Sequence, residues 1–442
     1  MVSTPERDDG LPPVSPDAIE QDHPDEMDNI VPTHGYQLLP MVGLGGSAGS
    51  IAALQTFFEV MPPDSGMVFV VILHLSPEHE SVLAEVLQRS TRMPVVQVQQ
   101  TLKVEPDHVY VIPPGKTMTS VDGSLKLENI SAANGRRAAI DLFFRSLADT
   151  HGPHSAAIVL SGVDGDGATG IKRIKERGGL TIAQSPEESE YNGMPRAAIA
   201  TGMVDWILGV SQMPEKLVEY QAFEKRIRVP PEDGPQPASP PQSANEDSES
   251  ALRDVLSFLR ACTGRDFTYY KRATILRRIA RRMQVNGVDD LVGYLDFLRT
   301  HPGESGALLQ DLLISVTNFF RDRDAFDALR THLKNLFRGK GRSDTVRVWV
   351  AACATGEEAY SIAIMLTEYA RGLENPPSIQ VFATDLDESA IQKAREGFYP
   401  ETIVADVSEE RLRTCFTHET DGYRIRRELR ECVLFAVHDV LK

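Results

Sequence analysis

The 442-residue chain is 41% hydrophobic, enough apolar side chain to bury two or three cores. A formal net charge of −17 excludes wholesale binding to nucleic acid or to an anionic membrane surface and leaves room only for a local basic patch. The cysteines at 262, 353, 415 and 432 lie far apart with no CxxC pair, so they read as ordinary thiols of a reducing compartment, and no metal site is expected.

Residues 1–35 are rich in Pro, Asp and Glu and are expected to form a disordered acidic tail. From 36 to 228, short β-rich runs (Leu38–Val42, Met67–Leu73, His108–Ile112, Ala156–Leu160, Leu180–Ala183) alternate with helical stretches. That alternation predicts an α/β domain built on a doubly wound, mostly parallel sheet. Segment 229–250 combines proline, serine and acid without a hydrophobic period, and reads as an extended linker too polar to couple the cores on either side. In 251–335, Leu256, Leu259, Leu276, Ile279, Met283, Leu291, Leu295 and Leu298 recur at helical spacing and predict a small helical domain. From 336 to 442 the βαβ pattern returns as VRVWV, the helix EEAYSIAIMLTEYA and the strand SIQVFATDLD, the start of a Rossmann-like sheet. The chain stops at Lys442 after one more strand-like run, Cys432–Val437, so an incomplete sheet with weak cofactor binding is expected. No segment resembles a signal peptide. The longest apolar run, Met67–Leu75, contains His74 and is too short to cross a bilayer, so a cytoplasmic protein is expected.

The turn VGLGGSAGS admits two chemistries. Gly43-x-Gly45-x-x-Ala48 has the spacing of a dinucleotide pyrophosphate turn. Gly45-x-Ser47-x-Gly49 has that of a nucleophile elbow, which presents a serine between a strand and a helix. A dinucleotide fold places Asp or Glu at the end of its second strand to take the ribose hydroxyls, whereas this second strand ends in His74. The fourth strand runs into Val163-Asp-Gly-Asp-Gly-Ala168, so Ser47, His74 and one of Asp164 or Asp166 can meet at the C-terminal sheet edge. Against this stand plainer readings: a helix N-cap for Ser47, a structural histidine, and a simple turn for DGDG.

The segments GLGGSAGSIAAL, VILHLSPEHES, VYVIPPGKTM, AIDLFFRSLA, IVLSGVDGDGATGIKRIKERGG and GMPRAAIATGMVD resemble, in order and spacing over roughly residues 37–220, the catalytic domain of the chemotaxis receptor methylesterase (CheB). The resemblance implies a nucleophile at Ser47, a base at His74 and an orienting acid at Asp166. Gly46 replaces the family's usual alanine, Leu73 its glutamine, and Asp164 falls where the family more often has glycine. The implied reaction is hydrolysis of glutamyl 5-methyl esters on a chemoreceptor, with no cofactor. The family's N-terminal receiver domain, which restrains the enzyme until phosphorylated, has no room in residues 1–35, so that switch is expected to be missing.

In the helix TILRRIARRMQ, Arg277, Arg278, Arg281 and Arg282 lie on one side, with no acid among them. The plain reading is a solvated face; on so acidic a chain the stripe is read as a docking surface for an acidic partner. Further on, the small-residue turn ACATGE and the strand ending in Asp385 have the layout of an adenosine-cofactor site. The run from the arginine helix through SVTNFFRD, ACATGEEAYSIA, FATDLDESAIQKAREGFY and FAVHDVL resembles the chemotaxis receptor methyltransferase (CheR) over roughly 251–442. The resemblance implies S-adenosylmethionine contacts at Thr317, Arg321, Glu357, Glu358, Asp385 and Asp439. Ser315 and Asp439 stand where that family often has asparagine. The combined expectation is a bifunctional enzyme that removes and adds methyl esters on the cytoplasmic region of a chemoreceptor, with no nucleic acid partner and no membrane insertion. The alternative is a receptor-docking adaptor without catalysis.

Overall fold

The apolar runs of the first half form ten strands among the residues described in a computed structural model of the chain, which are 39–75, 81–129, 138–224, 226–230, 243–314, 316–321, 323–420 and 422–440. They are β1 (Met41–Gly46), β2 (Val68–Leu73), β3 (Val95–Gln97), β4 (Leu102–Lys103), β5 (His108–Val111), β6 (Lys116–Val121), β7 (Ser124–Asn129), β8 (Ser155–Val159), β9 (Leu180–Gln184) and β10 (Trp206–Leu208). Seven make one sheet in the order β10-β9-β8-β1-β2-β5-β3, with every neighbouring pair parallel. Helices cover both faces, which is why β2 (VFVVIL) is buried at every residue and reads as a continuous apolar run. The remaining three strands pair antiparallel in the order β4-β7-β6. The chain leaves β1 toward β2 on one side and returns to β8 on the other, so a crevice opens at the C-terminal ends of these strands.

Gly43 and Gly45 lie inside β1 and serve packing. A Cβ at Gly45 would sit 2.4 Å from Ile140 Cγ2, and one at Gly43 would sit 2.8 Å from the Phe144 ring. The helix Ala139–His151 therefore rests directly on β1, with Ile140, Phe143 and Phe144 fully buried. Each such side chain contributes about 1.5–3 kcal/mol on burial. The dinucleotide reading of these glycines falls, because their open faces are filled by a helix.

In the second half, the helices Ser243–Thr263, Arg272–Asn286, Leu291–Thr300 and Pro302–Leu312 surround a core that includes Leu259, Ile279, Met283 and Leu298. Asp290 caps the third by accepting the Gly293 N–H at 2.8 Å. The first helix starts inside the expected linker, so residues 243–250 are helical rather than extended; the acids there suit the positive end of a helix. Residues 231–242, the acidic tail 1–35 and Ser315 lie outside the described residues. The helix Arg323–Phe337 sends Leu333 and Phe337 into the next core, although the expected boundary at 335 grouped it with the bundle. That core underlies β11 (Thr345–Ala351), β12 (Ser378–Asp385) and β16 (Val433–Val437), a parallel sheet of order β11-β12-β16. Beside it β13 (Phe398–Pro400), β14 (Phe416–Glu419) and β15 (Gly422–Ile425) form an antiparallel ribbon. None of the described helices is long and apolar enough to cross a membrane.

The expectation that the two halves are uncoupled is corrected. The described residues belong to one compact unit, and side chains cross the boundary repeatedly. Arg145 grips Asp406 with two hydrogen bonds of 2.8 and 3.0 Å, and the hydroxyls of Thr169 and Thr402 are 3.0 Å apart. A polar linker does not prevent coupling through the surfaces that it connects.

Gly45→Ala tests the packing role. One methyl group forced against Ile140 is expected to cost about 1–3 kcal/mol, the usual penalty for overpacking a full core. The urea midpoint of the full chain measures it, and an unchanged midpoint would restore the reading of Gly45 as a residue kept for a ligand.

Candidate active sites

The turn after β1 is built around Ser47. Parallel pairing of Gly46 with Leu73 brings Ser47 and His74 to the ends of adjacent strands. The Ser47 N–H donates to the Ser161 carbonyl at 2.9 Å, and its own carbonyl accepts the Ser50 N–H and hydroxyl at 3.2 and 2.6 Å. Gly49 takes a left-handed φ of 76°, and a Cβ there would meet Glu190 and the Ser161 hydroxyl at 2.8 Å. Only glycine permits so tight an entry into the helix Ser50–Val60. The main chain is thereby committed, and no hydrogen bond of the Ser47 hydroxyl occurs among the described residues.

Asp166 lies under His74 and is fully buried. Its Oδ2 is 2.8 Å from His74 Nε2 and accepts the Ile140 N–H at 2.9 Å. Its Oδ1 accepts the N–H groups of Asp141 and Gly167, both at 2.9 Å. A carboxylate at the N-terminus of the Ala139–His151 helix, held by three backbone donors, is fixed before any substrate arrives. Two of these donors, the N–H groups of Ile140 and Asp141, belong to a segment whose sequence signals only an amphipathic helix. Asp141 beside it is buried as well; burial, and then the nearby Asp166, push its carboxyl up to about 7. Its Oδ1 accepts the Gly170 N–H at 2.6 Å, tying this helix to the one that follows Asp166.

Asp164 also reaches the histidine. Its Oδ2 is 3.2 Å from His74 Nδ1, while its Oδ1 accepts the Asp166 N–H at 3.2 Å. Burial alone would lower the His74 pKa, but the two carboxylates outweigh it and push it up to about 10. Thus Ser47, His74 and Asp166 share one sheet edge, with a second carboxylate on the other imidazole nitrogen. No hydrogen bond joins His74 to Ser47.

The second site lies at the C-terminal edge of β12. Asp385 accepts the Ala354 N–H at 2.7 Å and the Asp387 N–H at 2.9 Å, one on each oxygen. The turn is held with Ala352 and Ala354 at left-handed φ values of 56° and 47°, a conformation that small residues tolerate best. Glu357 begins the next helix, buried, and accepts the Thr355 hydroxyl at 2.6 Å, whereas Glu358 is exposed. Burial raises the Glu357 carboxyl. Asp439 follows β16, whose Val437 pairs with Asp385. Arg321 is turned away, onto the Val316 carbonyl and Glu176 of the first half, the latter at 3.1 Å. A crevice of about 310 Å³ opens here, lined by Thr317, Thr355, Asp387 and Lys393 and, from the first half, by Lys172, Thr201 and Met203. No sequence signal joined Lys172 to this site. The residues fit an adenosine cofactor, since each oxygen of Asp385 keeps a lone pair for a ribose hydroxyl.

The arginine stripe is not an open docking surface. Arg281 and Arg282 are buried. Arg281 forms ion pairs with Asp205 of the first half and with Asp311 at 2.7 Å, and it donates to the Gly179 carbonyl at 2.8 Å. Lys175 closes the cluster, 2.9 Å from Asp205 and 3.0 Å from Asp311. Arg282 holds Glu304 at 2.6 Å, and Arg278 donates to the carbonyls of Lys175 and Glu176 at 3.2 and 2.8 Å. Burial would raise the Asp205 carboxyl, but Arg281 and Lys175 hold it well below the usual carboxylate range. Of the four, Arg277 remains exposed. The acids that neutralise the stripe lie far away in sequence, which is why local spacing showed it as uncompensated.

A serine, a histidine and a buried carboxylate at the switch point of a parallel sheet are the layout of a serine hydrolase. It is joined here to a polar crevice beside Asp385, lined by Lys172, Asp387 and Lys393. Family models agree with this division: CheB methylesterase matches residues 42–217, the CheR methyltransferase all-alpha domain 250–313, and the CheR methyltransferase SAM binding domain 315–442. An uncharacterized 104.1 kDa protein of Rhodobacter capsulatus is 35% identical over 81% of this chain and 39% of its own length. A protein-glutamate methylesterase/protein-glutamine glutaminase 2 of Shewanella sp. (strain MR-4) is 33% identical over 41% of this chain and 52% of its own. The crystal structure of the Thermotoga maritima CheB methylesterase catalytic domain aligns with 41% of this chain and 97% of that one, at 27% identity and a TM-score of 0.38. The chain is a fusion of a CheB methylesterase domain with the two domains of a CheR methyltransferase. It spans 39% and 52% of the lengths of these two curated relatives.

Arg281→Ala would leave Asp205 and Asp311 sharing Lys175 in a buried site. The expected cost is about 3 kcal/mol, the low end for removing one partner of a buried ion pair, because Lys175 remains. Arg277→Ala is expected to stay within about 0.5 kcal/mol. Urea denaturation of the full chain compares them, and equal effects would return the whole stripe to a solvated face.

Proposed function

We propose that the first half hydrolyses methyl esters of glutamyl side chains on the cytoplasmic region of a chemoreceptor, and that the second half forms them from S-adenosylmethionine. The observation that carries the esterase reading is the 2.8 Å contact between His74 and a fully buried Asp166, beside Ser47 on the next strand. In this reading Ser47 Oγ attacks the ester carbonyl while its proton passes to His74 Nδ1. Asp166 on Nε2 fixes the tautomer and stabilises the imidazolium. The tetrahedral intermediate expels methanol as His74 returns the proton; water then cleaves the acyl-serine by the same steps. The Ser47 N–H is spent on Ser161, so oxyanion donors come from the N–H groups that follow it at the start of the helix.

For the second half, bound S-adenosylmethionine supplies an electrophilic methyl group. Asp385 would take the ribose, Thr317 and Thr355 line the adjoining crevice, and Glu357 accepts the Thr355 hydroxyl. Lys172 and Lys393 bring positive charge to a crevice where an acceptor carboxylate must enter. The adaptor reading draws support from one observation: His74 has a carboxylate on each ring nitrogen.

Methanol release from methylated receptor separates the readings. Ser47→Ala is expected to reduce it about 10⁴-fold or more, because the triad residues act as a unit. Asp166→Asn is expected to reduce it roughly 10⁴-fold through the wrong tautomer. Release by the Ser47→Ala chain within tenfold of the unsubstituted one would rule out the serine mechanism.

A further inference from the structure

We infer that Asp164 is a latch on the esterase: it holds His74 as a doubly protonated imidazolium and withholds from Ser47 the nitrogen that must take its proton. The inference rests on the esterase reading. Asp166 occupies Nε2 at 2.8 Å, so the base can serve Ser47 only through Nδ1. That nitrogen faces Asp164 Oδ2 at 3.2 Å. Two carboxylates on opposite ring nitrogens are both satisfied only when both nitrogens carry protons. An imidazolium cannot act as a general base.

The two acids differ in a way that suits different roles. Asp166 is sealed, its side chain 0% exposed and held by three backbone N–H groups, so it cannot leave. The Asp164 side chain is 46% exposed, and beyond the histidine it accepts the Asp166 N–H at 3.2 Å. Asp164 is therefore the movable partner. Release is a proton transfer followed by a side-chain rotation. The Nδ1 proton passes to water or buffer base, the attraction between imidazolium and Asp164 vanishes, and the neutral nitrogen becomes free to accept the Ser47 proton. Among the described residues, the charged groups facing His74 come from the loop carrying Asp164 and Asp166. Asp141 and Arg145, on the Ala139–His151 helix, act on it through Asp166. The turn after β1 contributes only the uncharged Ser47.

The consequence is an esterase that is slow at neutral pH and gains rate as His74 loses its proton in the alkaline range. Removing the Asp164 charge lowers the His74 pKa, raises the neutral fraction at pH 7 and moves the rise of the rate profile to lower pH. One opposite charge at this distance is worth about 1–3 pH units, so the rate at pH 7 is expected to rise at least about tenfold. Asp164→Asn keeps an acceptor for the Asp166 N–H and removes the charge; Asp164→Gly removes both. The experiment records methanol release from methylated receptor against pH for the full chain and both variants, with Ser47→Ala as blank. In parallel, the His74 ring Cε1–H is titrated by NMR. Faster hydrolysis at pH 7 in both variants, with the profile and the His74 titration moved to lower pH, is the expected result. An unmoved titration, or a rate at pH 7 that falls or stays level in Asp164→Asn, overturns the latch. Hydrolysis absent at every pH from all three chains, with a His74 titration that does move, overturns the esterase reading and the latch as a regulator, and leaves the ion pair a structural feature alone.

Discussion

Two aspartates, an arginine and a lysine sealed between the halves are the constraint on which the arrangement depends. Asp205 and Lys175 come from the first half, Arg281 and Asp311 from the second, and the side chains of all four are buried. Stripping water from four charges costs several kcal/mol each, and mutual attraction offsets that only when the geometry is good and the remaining donors are used. Arg281 meets the condition by spending its fork on two carboxylates and the Gly179 carbonyl. Neither half can present these groups to the other loosely. The cluster sets position more than it adds stability.

The helix Ala168–Glu176 connects this cluster to both sites. It begins two residues after Asp166, and residues along its length meet the second half in succession. Thr169 meets Thr402, Lys172 lines the cofactor-type crevice, Lys175 enters the cluster, and Glu176 holds Arg321. Asp166, which contacts His74, therefore lies two residues before the helix that carries Lys172 into the wall of the second crevice. Asp141 braces its first turns through the Gly170 N–H.

The sequence makes legible what depends on residues close together in the chain. Continuous apolar runs announced the central parallel strands, and helical spacing announced the bundle core around Ile279 and Met283. The meeting of Ser47, His74 and Asp166 was legible because the first two directly follow adjacent strands and the third lies in the loop after β8 at the same sheet edge. Short strands such as β3, β10 and β4 carry too few residues to show a period. The arginine stripe was misread for another reason: periodicity says which residues share a face, never what covers it. Gly43 and Gly45 were ambiguous because a missing side chain leaves room for a ligand or for Ile140 and Phe144, and only three-dimensional distances tell these apart. Spacing left Asp164 and Asp166 as alternatives, and the distances place one on each nitrogen of His74.

The buried cluster also bears on how such a chain can change over generations. Fusions are often pictured as modules exchanged at a polar joint. Here a first half lacking Asp205, grafted onto this second half, would leave Arg281 with one carboxylate fewer in a dry site, and the reverse graft would strand Asp205. Substitutions at 175, 205, 281 and 311 must therefore be correlated across the joint. On this argument the two halves change as a matched pair.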